Sequence, residues 1–368
     1  MSKLLARLET QQKGTNDSFE LARIKAQRSC YLSRVGRFEE SRSLIAELRK
    51  DFGAGQNSRI SIWIMLSEGI AEMFENISPV ARDRIARAQL IALAIQDREL
   101  GAITSAWKAH ADFEISDFDA MLKSLKVAQD LADVENLDAQ TRIAVIMSNC
   151  FYLCGDRDNG QKWFMRCRNH AIAAGDQAMT DALLYNRAAF TVSSLRAQRC
   201  LSDIDPSLLN LVHLEVASAR NFQVMTRDLS LTHLIELCDA RVLLMKNDFS
   251  SAYRALEKMR SAGPFAKYNF SEAMIDLEMA MCASGLGRKS EVVELCIRAS
   301  KFDFTSLDID DQLVAAWIKT QLVVENSNCG DAVVCAKNLA EISARYVSHR
   351  DGLESKVTDL AATWIDRS

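Results

Sequence analysis

The sequence predicts an all-α chain, a right-handed superhelical solenoid of about eight antiparallel helix pairs. Three observations predict it: a helix-favouring composition, a hydrophobic pattern that repeats about every 40 residues, and turn-forming residues at one fixed place in each period. The chain of 368 residues is 48% hydrophobic and holds only 3 Pro and 14 Gly, a balance that favours helix over strand and opposes disorder.

The period is set by Ser41, Ala81, Met121, Gly160, Val212, Ala252, Val292 and Ala332, one marker in the second helix of each unit, spaced by 40, 40, 39, 52, 40, 40 and 40. Four residues beyond the markers stand Ile45, Ile85, Leu125, Phe164, Val216, Leu256, Cys296 and Ala336. Three further on stand Leu48, Ala88, Ala128, Cys167, Ala219, Met259, Ala299 and Leu339. An i, i+4, i+7 spacing places all three columns on one buried stripe of a helix. Twelve residues before the marker, in the first helix, the residue is small: Ser29, Gly69, Ala109, Ser148, Ala240, Ala280 and Thr320, and in the fifth unit Ala188 fits the column at 40 residues after Ser148. Small residues there let two helix backbones approach closely. Five residues before the marker stand Gly36, Asn76, Ser116, Gly155, Asn247, Gly287 and Ser327. Gly and Asn tolerate left-handed backbone, and Ser is expected to cap the next helix.

The step of 52 lies between the two helices of the fifth unit, and residues 196–207, RAQRCLSDIDPS, form the insertion. Asp205-Pro206 supplies an N-cap followed by Pro at the first helical position, where a new helix starts. The insertion is expected to be a loop, with Arg196, Arg199, Asp203 and Asp205 as possible contact residues.

These columns resemble tetratricopeptide repeats, which carry a small residue at the eighth position, a turn residue at the fifteenth and a small or apolar residue at the twentieth. Gly36-Arg37-Phe38 with Ile45, and Asn247-Asp248-Phe249 with Ala252, Leu256 and Pro264, are most similar to them. The usual bulky residues at the fourth and seventh positions are mostly missing, as at Lys25 and Arg28, and the period exceeds the usual 34. Longer repeats of this sort are similar to those of the maltose-system transcription activator and of bacterial peptide-sensing regulators. The expected organisation is an N-terminal helical extension over 1–16, repeats over 17–345 and a C-terminal capping helix over 346–368.

Charge and composition limit the partners. The net charge of −4 offers no basic footprint for nucleic acid, although residues 1–50 carry 11 Lys/Arg against 6 Asp/Glu. No apolar run approaches the ~20 residues that span a bilayer, and the N-terminus has no secretory apolar region. A cytoplasmic location is therefore expected, with the 10 Cys reduced and packed as small apolar residues.

Several motifs fail on inspection. Gly285-Leu286-Gly287-Arg288-Lys289-Ser290 has the Gly-Lys-Ser order broken by Arg288, and no strand precedes it. Asp156–Gly160 opens like a calcium loop but has Gln161 at the sixth position and Cys167 at the twelfth. His349-Arg350-Asp351 echoes a kinase catalytic loop without any other kinase element. Cys150, Cys154, Cys167 and His170 resemble a zinc set, yet Cys154 and Cys167 are expected roughly 13 Å apart along the helices, too far for zinc–sulfur bonds. No metal, no cofactor and no catalytic residue is expected, and the chain is read as non-enzymatic.

The expected function is a non-catalytic protein- or peptide-binding module, an adaptor, sensor or regulatory subunit, using the concave face lined by first helices. A homo-oligomer is compatible with this reading. The resemblance places groove residues at Asn149 and at Asn186 with its neighbour Tyr185, where paired Asn side chains clamp a peptide backbone. Arg142 and Arg241 are expected to add charge-assisted bonds to a carboxylate. The carboxylate clamp of chaperone-binding relatives is not reproduced, because Val145, Leu234 and Cys238 stand where its basic residues belong. The alternative is a peptide-responsive regulator that controls an effector protein; with about 16 residues before the first unit, control is expected to pass through a protein and not through direct DNA binding.

Overall fold

The computed structural model describes residues 2–53, 57–76, 79–226, 232–261, 272–325 and 329–365. Among them are seventeen α-helices, one short 3-10 turn at Phe304–Ser306, and no strand. An N-terminal α1 (Lys3–Gly14) precedes α2 (Ser18–Arg34), α3 (Phe38–Phe52), α4 (Ser58–Asn76), α5 (Pro79–Ala94), α6 (Arg98–Phe113), α7 (Phe118–Leu131), α8 (Leu137–Cys154) and α9 (Arg157–Ala174). There follow α10 (Gln177–Leu201), α11 (Pro206–Thr226), α12 (Thr232–Met245), α13 (Phe249–Ser261), α14 (Glu272–Gly285), α15 (Lys289–Ala299), α16 (Ile309–Glu325) and α17 (Cys329–Ile365). Consecutive helices pack on one another, as α2 on α3, α4 on α5, α6 on α7, α12 on α13 and α14 on α15. First helices also touch the next first helix, α2 on α4 and α14 on α16, so the chain is an all-α repeat stack of the solenoid type.

The register columns explain the packing. Every residue of the small column is buried, from Ser29 to Thr320. Ser29, Ser148 and Gly69 face the marker twelve residues later on the partner helix. Ser29 Oγ lies 2.8 Å from Ser41 Oγ, Ser148 Oγ donates to Gly160 O at 3.1 Å, and a Cβ on Gly69 would meet Ile85 Cγ1 at 2.6 Å and Ala81 O at 3.2 Å. The markers from Ser41 through Val292 are buried, but at the end of the array Ala332 is only half-buried and Ala336 is exposed.

Turns between paired helices use left-handed backbone at Gly36, Ser116, Gly155, Asn247 and Gly287, with φ between 58° and 83°. Ser116 adopts this conformation itself and does not cap; the neighbouring Asp117 caps α7, accepting from Ala120 N at 3.2 Å. Asn76 is the last residue of α4, and Ser327 and Pro264 lie outside the described residues. Asp17 and Asp97 cap α2 and α6 in the same way as Asp117.

Two segments differ from expectation. Of the inserted residues, Arg196–Leu201 continue α10 to a length of 25 residues, and only 202–205 are non-helical. Arg-Ala-Gln-Arg is a good helix-forming run, so nothing stops α10 before Ser202. Asp205 does restart the chain: it accepts from Ser207 N at 2.8 Å, and Pro206 opens α11. The C-terminal boundary expected at 345/346 falls inside α17, a continuous helix of 37 residues that passes through Gly352. No Pro and no capped turn interrupts it there.

The chain divides into two compact units. The first comprises Met1–Cys150, Asp158–Leu183 and Lys356–Ser368. In it, α1 buries Leu5 and Leu8, and Leu5 packs in a cluster with Tyr31, Leu32, Leu44 and Ala178. Ser2 Oγ and Leu4 N both donate to Gly175 O, at 3.1 and 3.0 Å, fixing α1 to the turn between α9 and α10. The end of α17 belongs to this unit, with Trp364 edge-on to Trp163 at 5.1 Å and Lys356 paired to Asp119 at 2.6 Å. The second unit comprises Phe151–Arg157 and Leu184–Ser355, and one core in it joins α12 to α16 through Leu237, Leu256, Met279, Leu295 and Ile318.

Candidate functional site

The first helices of the first unit wall a cavity of about 360 Å³. Four of its lining residues share one register position, eighteen before the marker: Arg23 on α2, Trp63 on α4, Ile103 on α6 and Arg142 on α8. One residue per repeat, on one face of successive helices, makes one wall. Leu4, Arg7, Leu8 and Gln11 of α1 line another side, and Asp176 and Met179 at the start of α10 a third.

The centre of the polar lining is Arg142, only 5% exposed. Its guanidinium carbon lies 3.7 Å over the Trp107 ring, and its Nη1 donates to His110 Nδ1 at 2.7 Å. His110 stacks on Trp107 with centroids 5.7 Å apart and planes at 6°, while its Nε2 lies 3.0 Å from Glu114 Oε1. With Nδ1 accepting from a cation and Nε2 donating to a carboxylate, His110 is the neutral tautomer. Burial first, and then the Arg142 charge, lower its pKa from the ordinary 6.5. Burial and the neighbouring Arg34 cation push the Arg142 guanidinium down to about 9, which leaves it charged at neutral pH.

Among the described residues no carboxylate lies within ion-pair distance of Arg142. The acids around it are otherwise engaged. Asp176 binds Arg34 in a fork, at 2.8 and 2.9 Å, and caps α10 through Met179 N. Asp138, which lines the cavity with its side chain still open to solvent, accepts from Gln27 at 3.0 Å, and its pKa is raised by the desolvation from surrounding protein and then by the nearby Asp176. Glu99 and Glu135 are exposed at the rim. Two further buried groups in the lining lack a hydrogen-bond partner, Trp63 Nε1 and Thr141 Oγ1, on residues 2% and 5% exposed. Leaving a buried polar group unmade costs about 1–3 kcal/mol, more for a charge, so such a cluster is unusual in a folded chain.

The second unit satisfies the corresponding charges internally. Arg196 donates to Glu278 at 2.5 Å and to Asp311 at 2.9 Å, and Arg241 donates to the same Glu278 at 3.0 Å. Arg241 is thus held in an internal network. Arg196 is buried there too, its pKa raised by Glu278 and Asp311 against the cost of burial. Ser193 donates to Asp310, whose pKa rises to about 6 through burial and the adjacent Asp311.

The remaining sequence-derived candidates are dispersed. Asn149 is buried on α8 and does not line the cavity. It belongs to the first unit, whereas Tyr185 and Asn186, both half-buried on α10, belong to the second. Arg199 donates to Leu244 O and to Asn247 Oδ1, and Asp203 and Asp205 are exposed. Trp63, Trp107, His110 and Thr141 were missed. A register signal was present for Trp63 alone: in the second unit the position that it shares with Arg23 and Arg142 holds the apolar Leu234, Met274 and Val314.

The cysteine set does not assemble. Cys150 Sγ lies 3.7 Å from Met121 Sδ, Cys154 Sγ contacts Arg350 O, and Cys167 Sγ donates to Thr141 O at 3.3 Å. The described residues contain no group of three or more potential metal ligands, and no described helix is long and apolar enough to cross a membrane. The chain matches no known family model and no curated protein.

Proposed function

We infer that the chain is a non-catalytic binding module, an adaptor, sensor or regulatory subunit, that receives a protein or peptide segment on the face formed by its first helices. One observation carries the reading: consecutive first helices of one unit line a polar cavity from one shared register position, and the cavity holds a buried cation with no described carboxylate in ion-pair distance. Stacked repeats read an extended partner in this manner, one position per repeat. The chemistry favours binding over catalysis, because burial raises the thiols of Cys30, Cys154 and Cys200 to about 12, which keeps them protonated and poorly nucleophilic. Nine free thiols among the described residues suit the reducing cytoplasm, where we place the protein. A tetratricopeptide-like origin agrees with the register columns.

A second reading, a peptide-responsive regulator, is favoured by α1. This helix lines the cavity and is fixed at its start by two bonds to Gly175 O, so an occupant that moves α1 changes the surface offered to an effector.

The test is site-specific photocrosslinking in the native host. A photoreactive residue at Arg7, exposed and lining the cavity, is expected to capture a defined protein or peptide, while the same residue at Leu214, exposed on α11, does not. Capture at Leu214 alone overturns the reading.

A further inference from the structure

We propose that the cavity of the first unit is a binding site for a small carboxylic acid with an apolar body, the carboxylate accepting from Arg142, Thr141 and Trp63. This goes beyond a peptide-binding face, since it assigns a free small molecule to the interior of the repeat stack.

The donors are already on the page. Arg142 is 5% exposed, and its partners are a neutral imidazole nitrogen and an indole face. Neither neutralises its charge. Thr141 Oγ1 and Trp63 Nε1 are buried and unbonded, on residues that belong to the same lining. Three donor groups with no anion among them match a planar carboxylate, which accepts through two oxygens and about four lone pairs. The second unit provides the contrast, because there Glu278 already occupies the equivalent role between Arg196 and Arg241. In the first unit no described carboxylate lies within ion-pair distance of Arg142, Asp176 being held by Arg34 and Asp138 by Gln27, which leaves room for an anion from outside.

Size and lining select the rest of the ligand. A volume of about 360 Å³ lies at the small end of the ~300–1,000 Å³ range of ligand pockets, and α1 forms one side of it. Half-buried Leu4 and Leu137 offer apolar surface for a short hydrocarbon body, backed by the buried Leu8, Leu66, Ile103 and Met179. Asp138 and Asp176, in the same lining, disfavour ligands with a second negative charge, so monocarboxylates are preferred over dicarboxylates and over inorganic phosphate.

The experiment titrates the full chain with hexanoate and 3-phenylpropionate, with their primary amides, and with inorganic phosphate. Melting temperature and tryptophan fluorescence are the readouts, since Trp63 and Trp107 line the site. The acids are expected to raise the melting temperature and change the fluorescence, and the amides to bind about tenfold or more weakly, the loss for removing one charge-assisted pairing. Arg142→Met abolishes binding, and the nearly isosteric Thr141→Val weakens it by about fivefold. If Arg142→Met fails to fold, the acid-against-amide comparison on the unaltered chain and Thr141→Val still decide. The proposal is overturned if neither acid binds at millimolar concentration, if acid and amide bind equally, if Arg142→Met binds as well as the parent chain, or if only phosphate binds. A pentapeptide ending in a free carboxylate separates the sources: its binding, with the small acids silent, replaces a small-acid site by recognition of a peptide end. Photocrosslinking at Arg7 reports independently on a macromolecular partner, so either idea can fail while the other stands.

Discussion

Introducing a methyl group at Gly69 tests the register that defines the repeats. Gly69 occupies the small column of α4, and a Cβ there would sit 2.6 Å from Ile85 Cγ1, 3.2 Å from Ala81 O and 3.3 Å from Ile85 N. Ile85 is fully buried, so its side chain has no free space to move into. Overpacking of this kind costs about 1–3 kcal/mol, against which a Gly→Ala change inside a helix gains about 1 kcal/mol of propensity. Gly69→Ala should therefore destabilise by about 1 kcal/mol. Ile85→Ala alone should cost about 2–5 kcal/mol through lost burial and a cavity. In the Ile85→Ala background the main clash is gone and the propensity gain remains, so Gly69→Ala should turn mildly stabilising, with a coupling energy of about 1–3 kcal/mol. Urea denaturation of the four proteins, at constant m, measures the cycle. An identical effect of Gly69→Ala in both backgrounds would refute the close approach of α4 to α5, and with it the meaning of the small column.

Enlarging the same column elsewhere, by Ala109→Leu in the first unit and Ala280→Leu in the second, should cost about 1–3 kcal/mol each in chemical denaturation, since both residues are fully buried. Two arginines on the cavity should respond oppositely to removal of charge. Arg34→Met strands Asp176 without its fork and should lower stability by about 3–5 kcal/mol, whereas Arg142→Met removes a buried cation that has no counter-charge and should leave the melting temperature unchanged or raised. The pH dependence follows from His110. Its folded pKa lies below the ordinary 6.5, so the unfolded chain binds the extra proton first, and stability should fall as pH drops through 6.5 toward the folded value. The slope is at most about 1.4 kcal/mol per pH unit, and His110→Gln should remove it in thermal melts across that window.

How much of this was legible in the sequence is clearest from individual residues. Ser29, Gly69, Ala109, Ala240 and Ala280 are buried as their register demands, and Gly36, Gly155, Asn247 and Gly287 turn the chain with positive φ. Such features are local: a repeat contacts mainly its neighbours, so composition, spacing and turn chemistry within about 40 residues suffice to determine it. Ser116 was read as a cap although it is the left-handed residue, because Asp117, one position on, competes for the same role and has the more effective acceptor. Arg196–Leu201 was read as loop because an insertion in a repeat implies one, while the residues themselves are helix formers.

What the sequence by itself determined is therefore the all-α repeat stack, its register and its turns. Only the tertiary structure decided which polar residues are spent and which are left over. Arg34 and Asp176 are 142 positions apart, and Arg196 and Glu278 are 82 apart, yet each forms a direct ion pair. Arg142 and Arg241 look alike in the sequence, both on first helices, and Arg196, expected in a loop, lies on the first helix α10 as well. The difference between a neutralised charge and a free one depends on which helices the packing brings within about 3 Å of each guanidinium. Coulomb and hydrogen-bond interactions are decided at that distance, and no spacing along the chain encodes it.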